Sequence, residues 1–213
     1  MKSVFRKGLR KVLKPVLHPL LRHLTKDLSD EDVWKREPAD LSFRDFGQGS
    51  LHEWSWYFEG HSTVKASSAK EIVEWLRGCR YVGDRVLFNE KDFWQHPVTF
   101  EHLQEGDCED HALWAWRKLK EIGVPAEFVC GLRGPLTSKG NRGHAWVQLE
   151  LNGIPHLMET VANRRKPMTR LLTEVRREYC PAYSVDTDFR TYRYGGFAEF
   201  VRAQLEIEAS SKP

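Results

Sequence analysis

Gly106-Asp107-Cys108-Glu109-Asp110-His111-Ala112 is the stretch whose reading decides the fold. A turn gives way there to an apolar series at helical spacing: Ala112, Ala115 with Trp116, Leu119 and Ile122. A helix is expected from Cys108 to Ile122, with Gly123 as its left-handed stop and Pro125 barring continuation. Cys108 therefore opens a helix. The free N–H groups of a helix start lower a thiol's pKa and can also hold an oxyanion. Asp107, Glu109 and Asp110 act the other way, so a thiolate at Cys108 needs a histidinium partner. Without one, Cys108 reads as a small buried residue.

The partner is sought downstream, in Gly143-His144-Ala145-Trp146-Val147. Ala126 to Leu132 reads as a strand. Residues 133–143, with three glycines and a proline, read as a loop. His144 to Leu151 alternates as a second strand, Asn152-Gly153 is a hairpin signal, and Ile154 to Val161 returns. With a two-residue turn, Trp146 pairs with Glu159 and His144 with Val161. His144, Trp146 and Glu159 then share one face, and Ala145, Val147, Leu149 and Leu151 the other. A turn of odd length would send Glu159 to the opposite face. Taken singly, His144 and Glu159 read as polar residues on a solvated strand. Taken together they are an imidazole oriented by a carboxylate, the arrangement a general base needs.

Trp94 and Gln95 precede the cysteine in a loop and are candidates to donate to an oxyanion. Trp146, beside His144, is a candidate wall of a cleft. Asn163 is a rival orienting residue. His111 stands three residues along the helix from Cys108 and suits the helix surface better than a thiol pair. Cys79, Cys130 and Cys180 read as core residues.

Gly-Asp-Cys-Glu-Asp-x-Ala at 106–112, Leu-x-x-x-Gly-Val-Pro-Ala at 119–126, the strand Phe-Val-Cys-Gly and His-Ala-Trp-Val at 144–147 together resemble the transglutaminase-like superfamily, and its bacterial cysteine-proteinase branch in particular. The resemblance spans residues 67–163. It implies an α+β, papain-like core in which the helix bearing the cysteine packs on an antiparallel sheet. It also implies Cys108 as nucleophile, His144 as base and Glu159 as orienting acid. The family usually has Asp in the third place, and Glu is longer by one methylene. The implied activity is thiol-dependent acyl transfer on a peptide or protein amide. Hydrolysis is favoured over transamidation because no feature identifies an amine site, and neither metal nor organic cofactor is required. The alternative is a silent scaffold that binds peptides or a membrane surface.

The remaining sequence bounds this reading. A chain of 213 residues, 40% hydrophobic and 12% aromatic with eight tryptophans, can bury a core without disulfides. Residues 1–26 carry eight Lys or Arg and no acid, which leaves 25 of the 33 basic residues against all 30 acids. That balance argues against nucleic-acid binding by the body. Within 1–26, Phe5, Leu9, Val12 or Leu13, Val16 or Leu17, Leu20 or Leu21 and Leu24 recur at helical spacing, with Pro15 and Pro19 as interruptions. A basic amphipathic helix suits an anionic membrane surface or a protein partner. An organelle presequence and packing on the body stay open. Residues 27–213 are expected to form one catalytic domain. Residues 27–65 would wrap it, Ser67 or Ser68 would cap a helix ending at Gly78, residues 79–105 would be mostly loop, and 166–179 and 196–208 would be helical. The four cysteines show no metal-ligand spacing, and no secretory signal is evident, so a cytoplasmic setting is expected, peripheral to the membrane if residues 1–26 bind there.

Overall fold

The computed structural model describes residues 33–133, 142–161, 167–176 and 178–197. The basic segment 1–26, Asn163 and most of the expected helix 196–208 lie outside the described residues.

One helix is buried almost all round. The helices are Ala69–Leu76 (α1), Asp84–Leu87 (α2), Pro97–Leu103 (α3), Cys108–Glu121 (α4) and Leu172–Val175 (α5). Of the fourteen residues of α4, eleven are buried, including Trp114, Trp116 and Leu119. A helix covered on every side must be the centre of its layer. α4 ends at Gly123, whose positive φ of 71° is the left-handed stop expected from the sequence. α1 presents Ile72 and Leu76 and stacks Trp75 on Trp114 with ring centroids 3.9 Å apart. Ser68 caps α1 by accepting from the Glu71 N–H.

Against α4 lies a seven-stranded antiparallel sheet, ordered β1-β9-β8-β4-β5-β6-β7. Its strands are Arg36–Pro38 (β1), Ala126–Arg133 (β4), Arg142–Leu151 (β5), Ile154–Met158 (β6), Thr169–Leu171 (β7), Tyr179–Asp186 (β8) and Thr191–Tyr194 (β9). Arg80–Tyr81 (β2) and Glu105–Gly106 (β3) form a separate parallel pair. Asn152 and Gly153 both take positive φ, 53° and 75°, as a two-residue hairpin turn requires. The register follows: Leu151 faces Ile154 and Val147 faces Met158. One sheet face carries Ala145, Val147, Leu149 and Phe128 into the core with α4. The other buries Val129, Trp146, Leu157 and Tyr179 with Trp34 and Tyr194.

Three expectations need correction. Residues 79–105 are not mostly loop: Pro97 starts α3 at its first position, His96 Nδ1 accepts from the Val98 N–H, and left-handed Gln104 ends it. The described residues of 166–179 do not form one helix. Thr169–Leu171 is strand, only Leu172–Val175 is helical, and Tyr179 already belongs to β8. The strand expected to reach Val161 stops at Met158, because the Glu159 N–H turns to the Met168 carbonyl (2.7 Å).

The wrapping segment is fastened to α4 by two buried cations. Arg117 donates to the carbonyls of Glu59 (2.6 Å) and Gly60 (2.7 Å). Lys118, 1% exposed, donates to Ser62 Oγ and the Val64 carbonyl.

β4 and β8 slip register between Cys130 and Gly131, so that Gly131 faces Pro181 and Ala182 is the extra residue. A Cβ on Gly131 would strike the Cys180 carbonyl, the Pro181 Cα and the Trp146 ring. Gly131→Ala should cost about 1–3 kcal/mol of stability through this overpacking. Gly143→Ala, whose Cβ meets nothing within 4 Å, is the matched control in a thermal melt. Equal melting temperatures for the two variants would refute the close-approach role of Gly131.

Candidate active site

α4 begins at Cys108 because Asp107 and Asp110 close its first turn reciprocally: each carboxylate accepts the other residue's N–H. Asp110 is fully buried and does more. It accepts from the Gln95 N–H (2.8 Å) and from Gln95 Nε2 (2.6 Å). Burial pushes its carboxyl up, and these donors pull against that. The loop before α3 is thus tied to the start of α4. The β2–β3 pair holds the other approach, with Tyr81 opposite Gly106.

Cys108 lies against β5. Its sulfur is met by the Ala145 backbone N–H, one residue beyond His144, and its thiol donates to Glu109 Oε2 at 3.2 Å. Burial pushes the thiol well above its ordinary pKa, and the Glu109 and Asp107 charges push the same way; only the Ala145 N–H pulls it down. Burial also raises Glu109, and the Asp107 carboxyl beside it adds to that. In this arrangement the Cys108 thiol is hydrogen-bonded to Glu109.

The hairpin brings His144 and Glu159 together. His144 Nε2 stands 3.0 Å from Glu159 Oε1 and 2.9 Å from Oε2. An ionised carboxylate only accepts, so the proton sits on Nε2, and Nδ1 is left as the basic ring nitrogen. Glu159 is 3% exposed. Burial alone would raise its pKa. Its bonds to His144, then Arg133 and Tyr179, outweigh burial and hold it below the usual carboxylate range. His144 is also within electrostatic reach of Asp107 at the start of α4, as Glu159 is of His111 on its first turn.

The other candidates have their donors engaged or turned elsewhere. Trp94 Nε1 donates to Asp92 Oδ1 (3.1 Å). Gln95 Nε2 is shared between Asp110 and the Glu105 carbonyl (3.0 Å). Trp146 stacks near His144, with centroids 6.2 Å apart and planes 28° apart, and its buried indole N–H has no acceptor. His111 holds the Asp107 carbonyl through Nδ1 (2.7 Å), packs on Phe100 and has its pKa pushed down to about 4 by burial. As the first residue of α4, Cys108 has an amide N–H with no intrahelical acceptor, the kind of group that can hold an oxyanion.

Carboxylate oxygens of Asp84, Asp92 and Glu109 lie within 4.8 Å of one another, as do those of Asp84, Asp107 and Asp110. Oxygen donors of this kind suit a hard divalent cation. Asp84 also anchors its own loop by accepting from the Phe93 N–H (2.6 Å). An acidic cluster alone does not identify a cation site. Sequence reasoning missed this cluster's burial and missed Tyr179 and Arg133 beside Glu159.

The sequence profile of the transglutaminase-like superfamily matches residues 54–155, which include α4, β4, β5 and the hairpin turn. Residues 54–155 are thus similar to a transglutaminase-like core. Cys108 begins the central helix, His144 lies near the start of β5, and Glu159 falls four residues past the matched stretch. Solved structures of Legionella pneumophila LapG resemble the whole more loosely. One is 17% identical over 78% of this chain and 99% of that one, with a TM-score of 0.45. The calcium-bound form is 16% identical over 77% and 99%, at 0.43, and the EGTA-treated form 18% over 70% and 83%, at 0.42. No curated protein matches the chain. Among the described residues no helix is long and apolar enough to cross a membrane.

Proposed function

We propose that the chain is a thiol-dependent amide hydrolase, a cysteine peptidase or amidase. The observation that carries this reading is the His144–Glu159 hydrogen bond, with Cys108 opening a helix and its sulfur met by the N–H of Ala145, the residue after His144. Glu159 fixes the imidazole with Nδ1 free to take the Cys108 proton. The thiolate attacks the amide carbonyl carbon, and the Cys108 N–H at the start of α4 receives the negative oxygen. The imidazolium returns its proton to the leaving amine as the C–N bond breaks. Water, deprotonated by His144, then cleaves the thioester and restores the thiol. An amine in place of water would give transamidation.

A second reading rests on the thiol's hydrogen bond to Glu109. A cysteine held protonated in that way fits a silent scaffold that binds a peptide without cleaving it.

Labelling with an electrophilic thiol probe separates the two. Fast labelling at neutral pH that is lost in Cys108→Ala, and that is far faster than at Cys79, Cys130 or Cys180, supports the hydrolase. Labelling spread equally over the four cysteines, or indifferent to Cys108→Ala, removes it.

A further inference from the structure

Glu159 is held by more than the histidine it orients. The Tyr179 hydroxyl donates to Oε2 at 2.7 Å, Arg133 Nη1 lies 2.6 Å from the same oxygen, and the Val161 N–H reaches Oε1 at 3.2 Å. With His144 Nε2, four donors meet a carboxylate that offers about four acceptor directions. Tyr179 is 1% exposed, and its ring packs edge-on against Trp146 with centroids 5.2 Å apart. The Arg133 guanidinium lies over the same ring at 5.5 Å. The clamp is therefore rigid on the Tyr179 side and partly open on the Arg133 side, where the side chain is 32% exposed.

The clamp also answers the extra methylene. A glutamate has one more rotatable bond than an aspartate, so a single hydrogen bond to His144 would leave it several positions. Fixing both oxygens from β8, β4 and its own chain removes that freedom. We infer that Tyr179 is a positioning residue: its hydroxyl seats Glu159 so that the carboxylate orients His144, while Arg133 supplies the countercharge. This deepens the hydrolase reading and rests on it. Tyr179 lies on β8, beyond the family-matched stretch, so this seat for Glu159 comes from outside that stretch.

The charged and titratable groups facing Glu159 are His144 from β5, Arg133 from β4, Tyr179 from β8 and His111 from α4, with Arg170 of β7 behind Tyr179. Tyr179→Phe removes one hydroxyl and no ring volume. The full-length protein and its variants are alkylated with iodoacetamide from pH 5 to 11, and the rate at Cys108 is read by mass spectrometry. Loosening Glu159 weakens its hold on the imidazolium, so the neutral-pH rate falls. The alkaline rate, that of the free thiolate, is unaffected. Tyr179→Phe should lower the ratio of neutral to alkaline rate roughly tenfold, the worth of one hydrogen bond to a charged group. Arg133→Gln should lower it further. Tyr194→Phe, which removes a hydroxyl on the same sheet face that meets Gln148 and Ser184 rather than Glu159, should leave it unchanged. A general loss of packing would shift the melting temperature without changing the ratio. An unchanged ratio in Tyr179→Phe, in a protein whose ratio collapses in His144→Ala, overturns the inference. Failure of the hydrolase reading shows itself separately, as labelling indifferent to Cys108→Ala.

Discussion

His144→Ala should lower amide hydrolysis by roughly 10²–10⁴-fold, the usual contribution of a positioned general base. The reason lies at Cys108. Burial and the charges of Glu109 and Asp107 keep its thiol protonated, so a neutral-pH thiolate exists only with an imidazolium beside it. Without His144, alkylation of Cys108 should rise only in alkaline solution. The variant should fold, because Glu159 keeps Tyr179, Arg133 and the Val161 N–H as partners. A neutral plateau equal to that of the wild type would remove His144 as the base.

The largest loss of stability is expected at Glu101. Its buried carboxylate accepts from Ser62 Oγ (2.5 Å), the Thr63 N–H (2.6 Å) and hydroxyl (2.7 Å), the Val64 N–H (2.9 Å) and Trp114 Nε1 (3.1 Å), with Lys118 Nζ 3.9 Å away. Glu101→Ala leaves these donors unpaired and a lysine buried with less countercharge, at a cost of about 3–5 kcal/mol. In a domain of this size that lowers the melting temperature by roughly 6–20 °C. Burial raises the Glu101 pKa, but the hydrogen bonds outweigh it and set the group at about 2, against an ordinary value of 4.5. A depressed folded-state pKa stabilises above the unfolded value and loses that stabilisation as pH falls through the folded one. The wild type should thus lose this contribution between about pH 4.5 and pH 2, and Glu101→Ala should show a shallower acid dependence there. Parallel curves for the two proteins would contradict the assignment.

The parts of the fold legible in the sequence are those whose local chemistry and tertiary environment agree. Asn152-Gly153 needs positive φ at both positions whatever surrounds it, so the hairpin and the shared face of His144 and Glu159 follow from two residues. α4 is legible because its apolar spacing extends over four turns. α3 is hidden, since it is seven residues long and one of its buried residues is the charged Glu101. β8 is hidden for a different reason. Almost every residue in it is buried, so nothing alternates, and Pro181 stands inside it opposite the register slip. The segment just before β8, rich in Leu, Arg and Glu, has helical propensity that the sheet overrides at Thr169–Leu171, and among its described residues only Leu172–Val175 is helical. Since β8 was hidden, the seat of Glu159 was hidden with it. The pair itself was legible, but what holds the pair was not.

β8 comes late in the chain and lies in the middle of the sheet, between β4 and β9. A nascent polypeptide that has emerged from the ribosome only to residue 161 already contains Cys108, His144 and Glu159, yet Tyr179 is still unmade. β4 waits with a bare edge, and the acid waits without its seat. On the hydrolase reading proposed above, competence would arrive with the closing strands of synthesis, and a chain cut short before them would carry Cys108, His144 and Glu159 without the hydroxyl that seats the acid.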